Sequence, residues 1–435
     1  MSLMNEHRFN RIAAMKPATK RAGVEPRGYV PATPEGADTL ARLLGATLQK
    51  TRHGEHLSVR RWFSDASPGD VTMAALRLLA PDAPDEAADQ NNWLFLDTET
   101  TGFAGGTGTY AFLIGIAWWD AGGLEVEQFF MRDHCDEHSV LGTLKERLAE
   151  RSILVTFNGK SFDWPLLETR FRMTRSISPK APRAHLDLLH TSRHLWRPRI
   201  GSVRLCELER HVLGRNRGHD IVSDLIPQIY FDFLRGGCAE QLVPVFYHNQ
   251  MDLVGLAALT GRVFSLLAAP ESECADALEV FGVSRICDRR GESSRARDLY
   301  AHAIARVLPK PVDGTARAAL ARLAKREGDF ARATSLWMEL RGISREGLEA
   351  YVELAKYFEH RMRHPKRAAE LIGEALAELR RSRSIDFVPP ARTGKWRTDL
   401  DKRMARLRNK CSTGQNETLL EANLTESRGL VAESK

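Results

Sequence analysis

Hydrophobic positions along this chain change their period twice. Between Trp93 and Leu188, short apolar runs alternate with segments of helical period. Trp93–Leu96, Tyr110–Trp119, Leu124–Met131, Ile153–Phe157 and Ala184–Leu188 read as strands. Ala121-Gly122-Gly123 is a hairpin signal, so the first three strands are expected to be consecutive and antiparallel. Phe103–Gly108 reads as a flexible glycine turn. Ser139–Arg151, with Leu141, Leu144 and Leu148 aligned, and Ser161–Arg172 read as helices. After the last strand the pattern is helical: Asp187–Leu195, Ser202–Leu213, Ser223–Arg235 and Ala239–Leu267. The order βββαβαβ followed by helices predicts an α/β mixed sheet, three antiparallel strands then parallel additions, with helices on its faces.

From about residue 288 strands disappear. Gly291, Ala296, Tyr300 and Ala303 recur as Gly328, Ala333, Trp337 and Leu340, and more weakly as Arg363, Ala368, Ile372 and Ala375. These offsets put small and aromatic residues on one face of the second helix of a hairpin, the tetratricopeptide pattern of stacked helix pairs. A generic helical bundle is the alternative. The expected organisation is a disordered leader (1–38), an N-terminal extension packing on the α/β unit (39–90), the α/β unit (91–270), helical repeats (285–382) and a polar tail (383–435). The leader carries Lys16, Lys20, Arg21 and Arg27. In the extension, Asp38–Gln49 reads as a helix burying Leu40, Leu43, Leu44 and Leu48, Leu57–Phe63 as a strand, Val71–Leu79 as a helix and Pro81–Gln90 as an acidic loop. A chain ending near residue 270 is therefore expected to keep any catalysis.

Composition narrows the class. The 435 residues are 43% hydrophobic and 27% charged, as in a globular protein. A net charge of +7 suits a nucleic-acid partner, although ordinary surface composition also produces it. Six cysteines without a CxxC pair argue against a disulfide framework or zinc cluster and suit a reducing, cytoplasmic setting. No apolar run has the length of a membrane span, and no membrane association is expected.

The chemistry sits in three places. Asp97 and Glu99 end the first apolar strand two residues apart, hence on one face. Like charges so close repel, and a hard cation relieves the repulsion. Asp163 lies at the start of a helix in Asn158-Gly159-Lys160-Ser161-Phe162-Asp163, where plain capping is the competing explanation. Gly159-Lys160-Ser161 is not a nucleotide-binding P-loop, because Leu154 stands where its first glycine belongs. His248 and Asp252 are four apart on an apolar helix, one turn from each other.

Asp-Thr-Glu-Thr-Thr-Gly after a strand, Asn-Gly-x-x-Phe-Asp before a helix and His-x-x-x-Asp on a late helix resemble the three exonuclease motifs of the DEDD superfamily. The second resembles that of family B polymerase proofreading domains. The chain as a whole resembles the YprB-like predicted exonucleases, a ribonuclease H-like domain followed by tetratricopeptide helices. The resemblance covers residues 90–270 well and 288–380 loosely. It implies a 3′–5′ exonuclease in which Asp97, Glu99, Asp163 and Asp252 hold two Mg²⁺ or Mn²⁺ ions and His248 serves the attacking water. Superfamily members leave four residues between a histidine and the final Asp, or three between a tyrosine and that Asp. Here His248 has the tyrosine spacing and Tyr247 the histidine spacing; the near-neutral imidazole favours His248. Thr98, Thr100, Asn158 and Lys160 are candidate substrate contacts, with turn formation an equal reading of Asn158. Arg170, Arg172, Arg197 and Arg199 could meet phosphate or be solvated charges, Trp164 and Trp196 could stack bases or pack in the core, and Asp187 reads as a helix N-cap. A ribonuclease H-type endonuclease and a non-catalytic scaffold using the repeats to bind nucleic acid or a protein partner remain alternatives, and DNA against RNA stays open.

Overall fold

A computed structural model of the chain describes residues 34–64, 69, 71–102, 107–175, 177, 179–218, 220–271, 276–342, 344–382 and 394–412. The leader lysines and arginines, most of the Phe103–Gly108 turn and much of the polar tail lie outside the described residues. The chain opens with α1 (Pro34–Leu44), β1 (Thr47–Thr51), β2 (Gly54–Phe63) and α2 (Met73–Leu79). The α/β unit follows as β3 (Trp93–Thr100), β4 (Ala111–Asp120), β5 (Gly123–Phe130), α3 (Glu137–Glu150), β6 (Ile153–Thr156), α4 (Asp163–Thr174) and β7 (Ala184–Asp187). Then come α5 (Leu188–Leu195), α6 (Leu205–Val212), α7 (Ile226–Leu234) and α8 (Val243–Ala268). The remaining helices are α9 (Ala277–Arg290), α10 (Ser293–Ala305), α11 (Lys310–Glu327), α12 (Phe330–Leu340), α13 (Arg345–Lys356) and α14 (Pro365–Ser382).

The seven strands form one sheet in the order β1-β2-β5-β4-β3-β6-β7. β3, β6 and β7 are parallel and the other pairings antiparallel. β4 is buried over nine of its ten residues because it is central and covered on both faces. The β4–β5 hairpin turns at Ala121 and Gly122, both at positive φ, the backbone a tight two-residue hairpin demands.

The extension does more than pack on the sheet: it adds two strands to it. The helix expected over Asp38–Gln49 stops at Leu44, where Gly45 adopts φ +61, and the chain continues as β1 paired with β2. Leu43 and Leu48 are consequently exposed. Backbone pairing overrode an apolar spacing that fits a helix equally well. The Pro81–Gln90 segment contains a 3-10 turn, Asp85–Ala88.

One face of the sheet carries Leu94, Leu96, Ile114 and Ile116 beneath α3 and α4. The other carries Trp93, Phe95, Ala117 and Val126 beneath α8. Helix α8, with the 3-10 turn before it, is long and apolar enough by composition to cross a membrane, yet two-thirds of its most apolar window is buried. Here it is a core helix lying on a sheet.

Consecutive helices from α9 to α14 pack on one another. The predicted turn positions Gly291, Gly328 and Arg363 all have positive φ, +81, +83 and +48. The arginine takes the conformation that glycine adopts freely, which explains why the third copy is weak in sequence. Ala296, Tyr300, Ala303, Ala333, Trp337, Ala368, Ile372 and Ala375 are buried. Part of the expected polar tail, 394–412, is instead helical, with Leu400 and Leu407 buried and Arg406 and Lys410 paired to the buried Glu359.

The division expected near residue 270 cuts through a shared core. Trp93 and Phe264 belong to the same buried cluster as Val280, Phe281 and Tyr300. Gly282 on α9 sits against the backbone of α5, where a Cβ would come within 2.7 Å of the His194 carbonyl oxygen. Glu279 accepts from the buried Trp196 indole at 2.7 Å and from Arg262 at 2.8 Å, and Arg290 donates to the Leu78 carbonyl at 2.7 Å. A chain ending near 270 would expose this surface and strand the Trp196 N–H. It should be insoluble or melt at lower temperature than the full chain, as differential scanning fluorimetry would read; an unchanged Tm would show the core to be divisible.

Candidate active site

Alternation on β3 turns Asp97 and Glu99 toward α8 and Thr98 to the opposite face. A register shift between Glu99 and Thr100 ends the regular pairing there. Asp97 pairs in register with Gly115 of β4, and α8 crosses over that glycine. A Cβ on Gly115 would lie 2.1 Å from Asn249 Oδ1, so the helix can approach only because the side chain is absent. Asn249 then donates through Nδ2 to Asp97 Oδ2 at 2.8 Å. Gln128 on β5 donates to Asn249 Oδ1 at 2.8 Å and to the Phe246 carbonyl at 2.9 Å, which leaves the Asn249 NH₂ facing Asp97.

Asp163 arrives from the other side. After β6 the chain turns at Asn158, in a left-handed conformation at φ +72. Asp187 accepts from the backbone N–H groups of Asn158 at 2.8 Å, Lys160 at 3.0 Å and Leu189 at 3.0 Å. It therefore caps α5, as its sequence position suggests, and also staples the loop before α4. That loop delays the helix start from Ser161 to Asp163, at the end of β3, where the Thr98 hydroxyl donates to Asp163 Oδ1 at 2.5 Å.

His248 and Asp252 project from α8 toward Glu99, and one ligand atom from each of the three lies within 4.8 Å of the others. The loop between α6 and α7 holds this pair. Asp220 Oδ1 is 2.7 Å from His248 Nδ1, which turns Nε2 toward Asp252 Oδ2, 3.5 Å away. Arg217 donates to Asp252 Oδ1 at 2.5 Å, to Glu209 Oε1 at 2.6 Å and to Asp220 Oδ2 at 3.3 Å. Arg217 and Glu209 are almost fully buried, and Glu209 fills the space beside Gly255, where a Cβ would be 1.6 Å from Oε1.

Burial pushes the Asp97 carboxyl well above the ordinary carboxylate range, and Asp252, Asp163 and Glu99 raise it further. Burial, Asp252 and Asp163 do the same to Glu99. Asp163 is raised to about 6 by burial, against the opposing Thr98 hydrogen bond. Asp220 moves the other way: burial pushes it up, but the His248 hydrogen bond and the Arg217 charge hold it below its usual value. Several acids from separate segments thus share one poorly solvated place. The donor set, oxygen-rich with one imidazole, suits a divalent cation.

All five predicted catalytic side chains, Asp97, Glu99, Asp163, His248 and Asp252, come together. Tyr247 does not join them: it is 41% exposed and lines, with Trp62 and Met251, a cavity on the outer side of Arg217 and Glu209. The Thr98 hydroxyl is engaged by Asp163, and that of Thr100 donates to the Gly102 carbonyl at 2.9 Å, so both serve the scaffold. Asn158 takes the turn role. Arg170 is no solvated charge: it is buried against both oxygens of Glu137, 2.5 and 2.6 Å away, and stacks over Tyr110. Arg199 pairs with Asp276, Trp196 is fully buried, and half-buried Trp164 donates to Glu168. Sequence reasoning missed Arg217, Asp220, Glu209 and Asn249. The charged run Arg215–Asp220 between two helices is visible in the sequence, but no periodicity aims it at the carboxylates.

Residues 94–264 match the family model described as RNase_H superfamily. This places the sheet and its carboxylates in a fold of nuclease type. Protein YprB of Bacillus subtilis is 31% identical over 299 residues, covering 67% of this chain and 70% of its own. The chain belongs to the YprB family. Among solved structures, a family B DNA polymerase from Pyrobaculum calidifontis is similar with a TM-score of 0.36 and 14% identity, over 48% of this chain and 29% of the polymerase chain.

A raised carboxyl pKa means that the folded state binds the proton more tightly than the unfolded state. Its stabilisation is present at low pH and lost as pH rises from the ordinary aspartate value of 3.8 through about 6 for Asp163. In chelator, the Tm of the full chain should fall more steeply across this window than that of Asp163→Asn. Added Mg²⁺ or Mn²⁺ at pH 7.5 should raise the Tm of the parent more than that of the variant. Parallel pH curves would show that burial of the Asp163 carboxyl does not set the pH dependence.

Proposed function

We propose that this protein is a metal-dependent 3′–5′ exonuclease that hydrolyses phosphodiester bonds at a nucleic-acid end. The reading is supported above all by the convergence of Asp97, Glu99, Asp163, His248 and Asp252 from three separate segments at one end of β3. Asp97, Glu99, Asp163 and Asp252 would hold two Mg²⁺ or Mn²⁺ ions, which supply positive charge to the attacking and leaving oxygens. His248, oriented through Nδ1 by Asp220, takes a proton at Nε2 from the attacking water. The oxygen adds to phosphorus, the bond to O3′ of the penultimate nucleotide breaks, O3′ takes a proton from solvent to become the new 3′-hydroxyl, and a 5′-nucleoside monophosphate leaves. Asn249 keeps Asp97 in place and Arg217 keeps Asp252 in place, so their contribution is to geometry.

We read the helical hairpins α9/α10, α11/α12 and α13/α14 as tetratricopeptide-like, offering a surface to a protein partner or guiding the substrate. The recurrent left-handed turns and buried small and aromatic positions support this.

End-labelled and circular DNA and RNA substrates test the activity. Loss from the labelled end, abolished by EDTA and by Asp97→Ala, is expected; cleavage of circles would indicate an endonuclease. No hydrolysis under any metal would leave a scaffold. His248→Ala should lower single-turnover rates by roughly 10²–10⁴ with binding largely kept, whereas Tyr247→Phe should be mild. A folded His248→Ala as fast as the parent would remove the imidazole from the mechanism.

A further inference from the structure

Where the helical region meets the α/β unit there is a cavity of about 320 Å³ between the loop after β6, helix α5 and the end of α9. Lys160 lines one wall, His190 and His194 the second, and Arg289 and Arg290 the third. Among the described residues, Lys160, Arg289 and Arg290 have no carboxylate within ion-pairing distance, whereas other arginines of the helical region pair with one. The one acid on the wall, Asp187, is occupied by three backbone N–H groups. His194 Nε2 lies 2.7 Å from Arg289 Nη1 and accepts a hydrogen bond from it, and a neutral imidazole adds no counter-charge. Burial first, and then the charges of Arg285 and Arg289, push His194 down to about 4.

The cavity adjoins the carboxylate site. Asp187 is close enough to Asp163 to raise its pKa, and the loop carrying Lys160 leads directly into Asp163. Arg290 is engaged by the Leu78 and Leu79 carbonyls, but no carboxylate neutralises it, Arg289 or Lys160, and a cationic cavity beside a site read as acting on phosphodiesters matches the strand's own backbone. Its volume accommodates a phosphate and sugar, far short of a duplex.

Resting on the reading of the site as an exonuclease, we propose that this cavity binds an internal backbone phosphate of the single strand being degraded, with Arg289 and Lys160 as its ligands. The helical region then forms one wall of the substrate track. This gives α9 a direct part in binding nucleic acid.

The test is fluorescence anisotropy of labelled dT20 and U20 with the full chain in EDTA, alongside KM and kcat in Mg²⁺ or Mn²⁺. Arg289→Glu should weaken 20-mer binding at least about tenfold and flatten the salt dependence, by roughly one unit of slope per lost phosphate contact. It should raise KM far more than it lowers kcat. Arg289→Lys should retain most of the affinity. Lys160→Glu, on an exposed loop and off α9, should repeat the effect if the Arg289 change disturbs the helix end. Arg332→Glu on α12, the same charge change on an exposed position away from the cavity, is the control. Equal losses for Arg289→Glu and Arg332→Glu would overturn the proposal in favour of general charge attraction. Equal losses on trimers and 20-mers would overturn it in favour of a terminal-phosphate or free-phosphate pocket. A parent that hydrolyses ends, beside an Arg289→Glu and a Lys160→Glu that bind like it, would overturn this inference alone. A parent that neither binds nor hydrolyses would overturn the exonuclease reading as well.

Discussion

Mutual repulsion among buried acids is the constraint around which this protein is built. Asp97, Glu99, Asp163 and Asp252 are brought from a strand, a loop-to-helix junction and a long helix into one poorly solvated place. Such an arrangement costs folding free energy unless cations or protons compensate it. The surrounding structure reads as the set of devices that hold the acids there: Gln128 and Asn249 for Asp97, Thr98 for Asp163, and Arg217 with Glu209 for Asp252. Each device is itself buried or half-buried and hydrogen-bonded, so the acids cannot easily swing away from one another.

Two glycines make this possible through missing atoms. Gly115 lets α8 descend onto the sheet far enough for Asn249 to reach Asp97, and Gly255 admits the Glu209 carboxylate that anchors Arg217. Even one added methyl group at either position would meet side-chain atoms well inside contact distance. Helix α8 thus serves at once as the cover of one sheet face and as the carrier of His248, Asn249 and Asp252. Sheet packing and site geometry cannot vary independently.

The continuous core between the α/β unit and the helices extends the same logic. Trp196, Glu279 and Arg262 join α9 to the α/β unit through buried hydrogen bonds, and Gly282 lets the backbones approach closely. The first helical hairpin is therefore packed against the sheet's α/β unit close to the end that carries the carboxylates. A cationic wall on α9 can then have a fixed relation to Asp163.

By itself the sequence determined the succession of strands and helices from β3 to β7, the antiparallel run of β3, β4 and β5 and the five candidate site residues, because these depend on local period and on short motifs. The period-2 placement of Asp97 and Glu99 and the helical spacing of His248 and Asp252 are properties of neighbouring residues. It also marked the left-handed turns at Gly291 and Gly328. Tertiary structure alone decided that Thr47–Thr51 is a strand, because pairing with β2 is non-local. It decided that 394–412 docks as a helix, and that Arg170 is buried against Glu137. The choice between His248 and Tyr247 was likewise geometric: they are adjacent in sequence, and only the contact with Asp220 and Glu99 sets which one faces the acids. Arg217 and Asp220 lie on an irregular loop, and without a repeating backbone period the direction of a side chain is fixed by what it packs against.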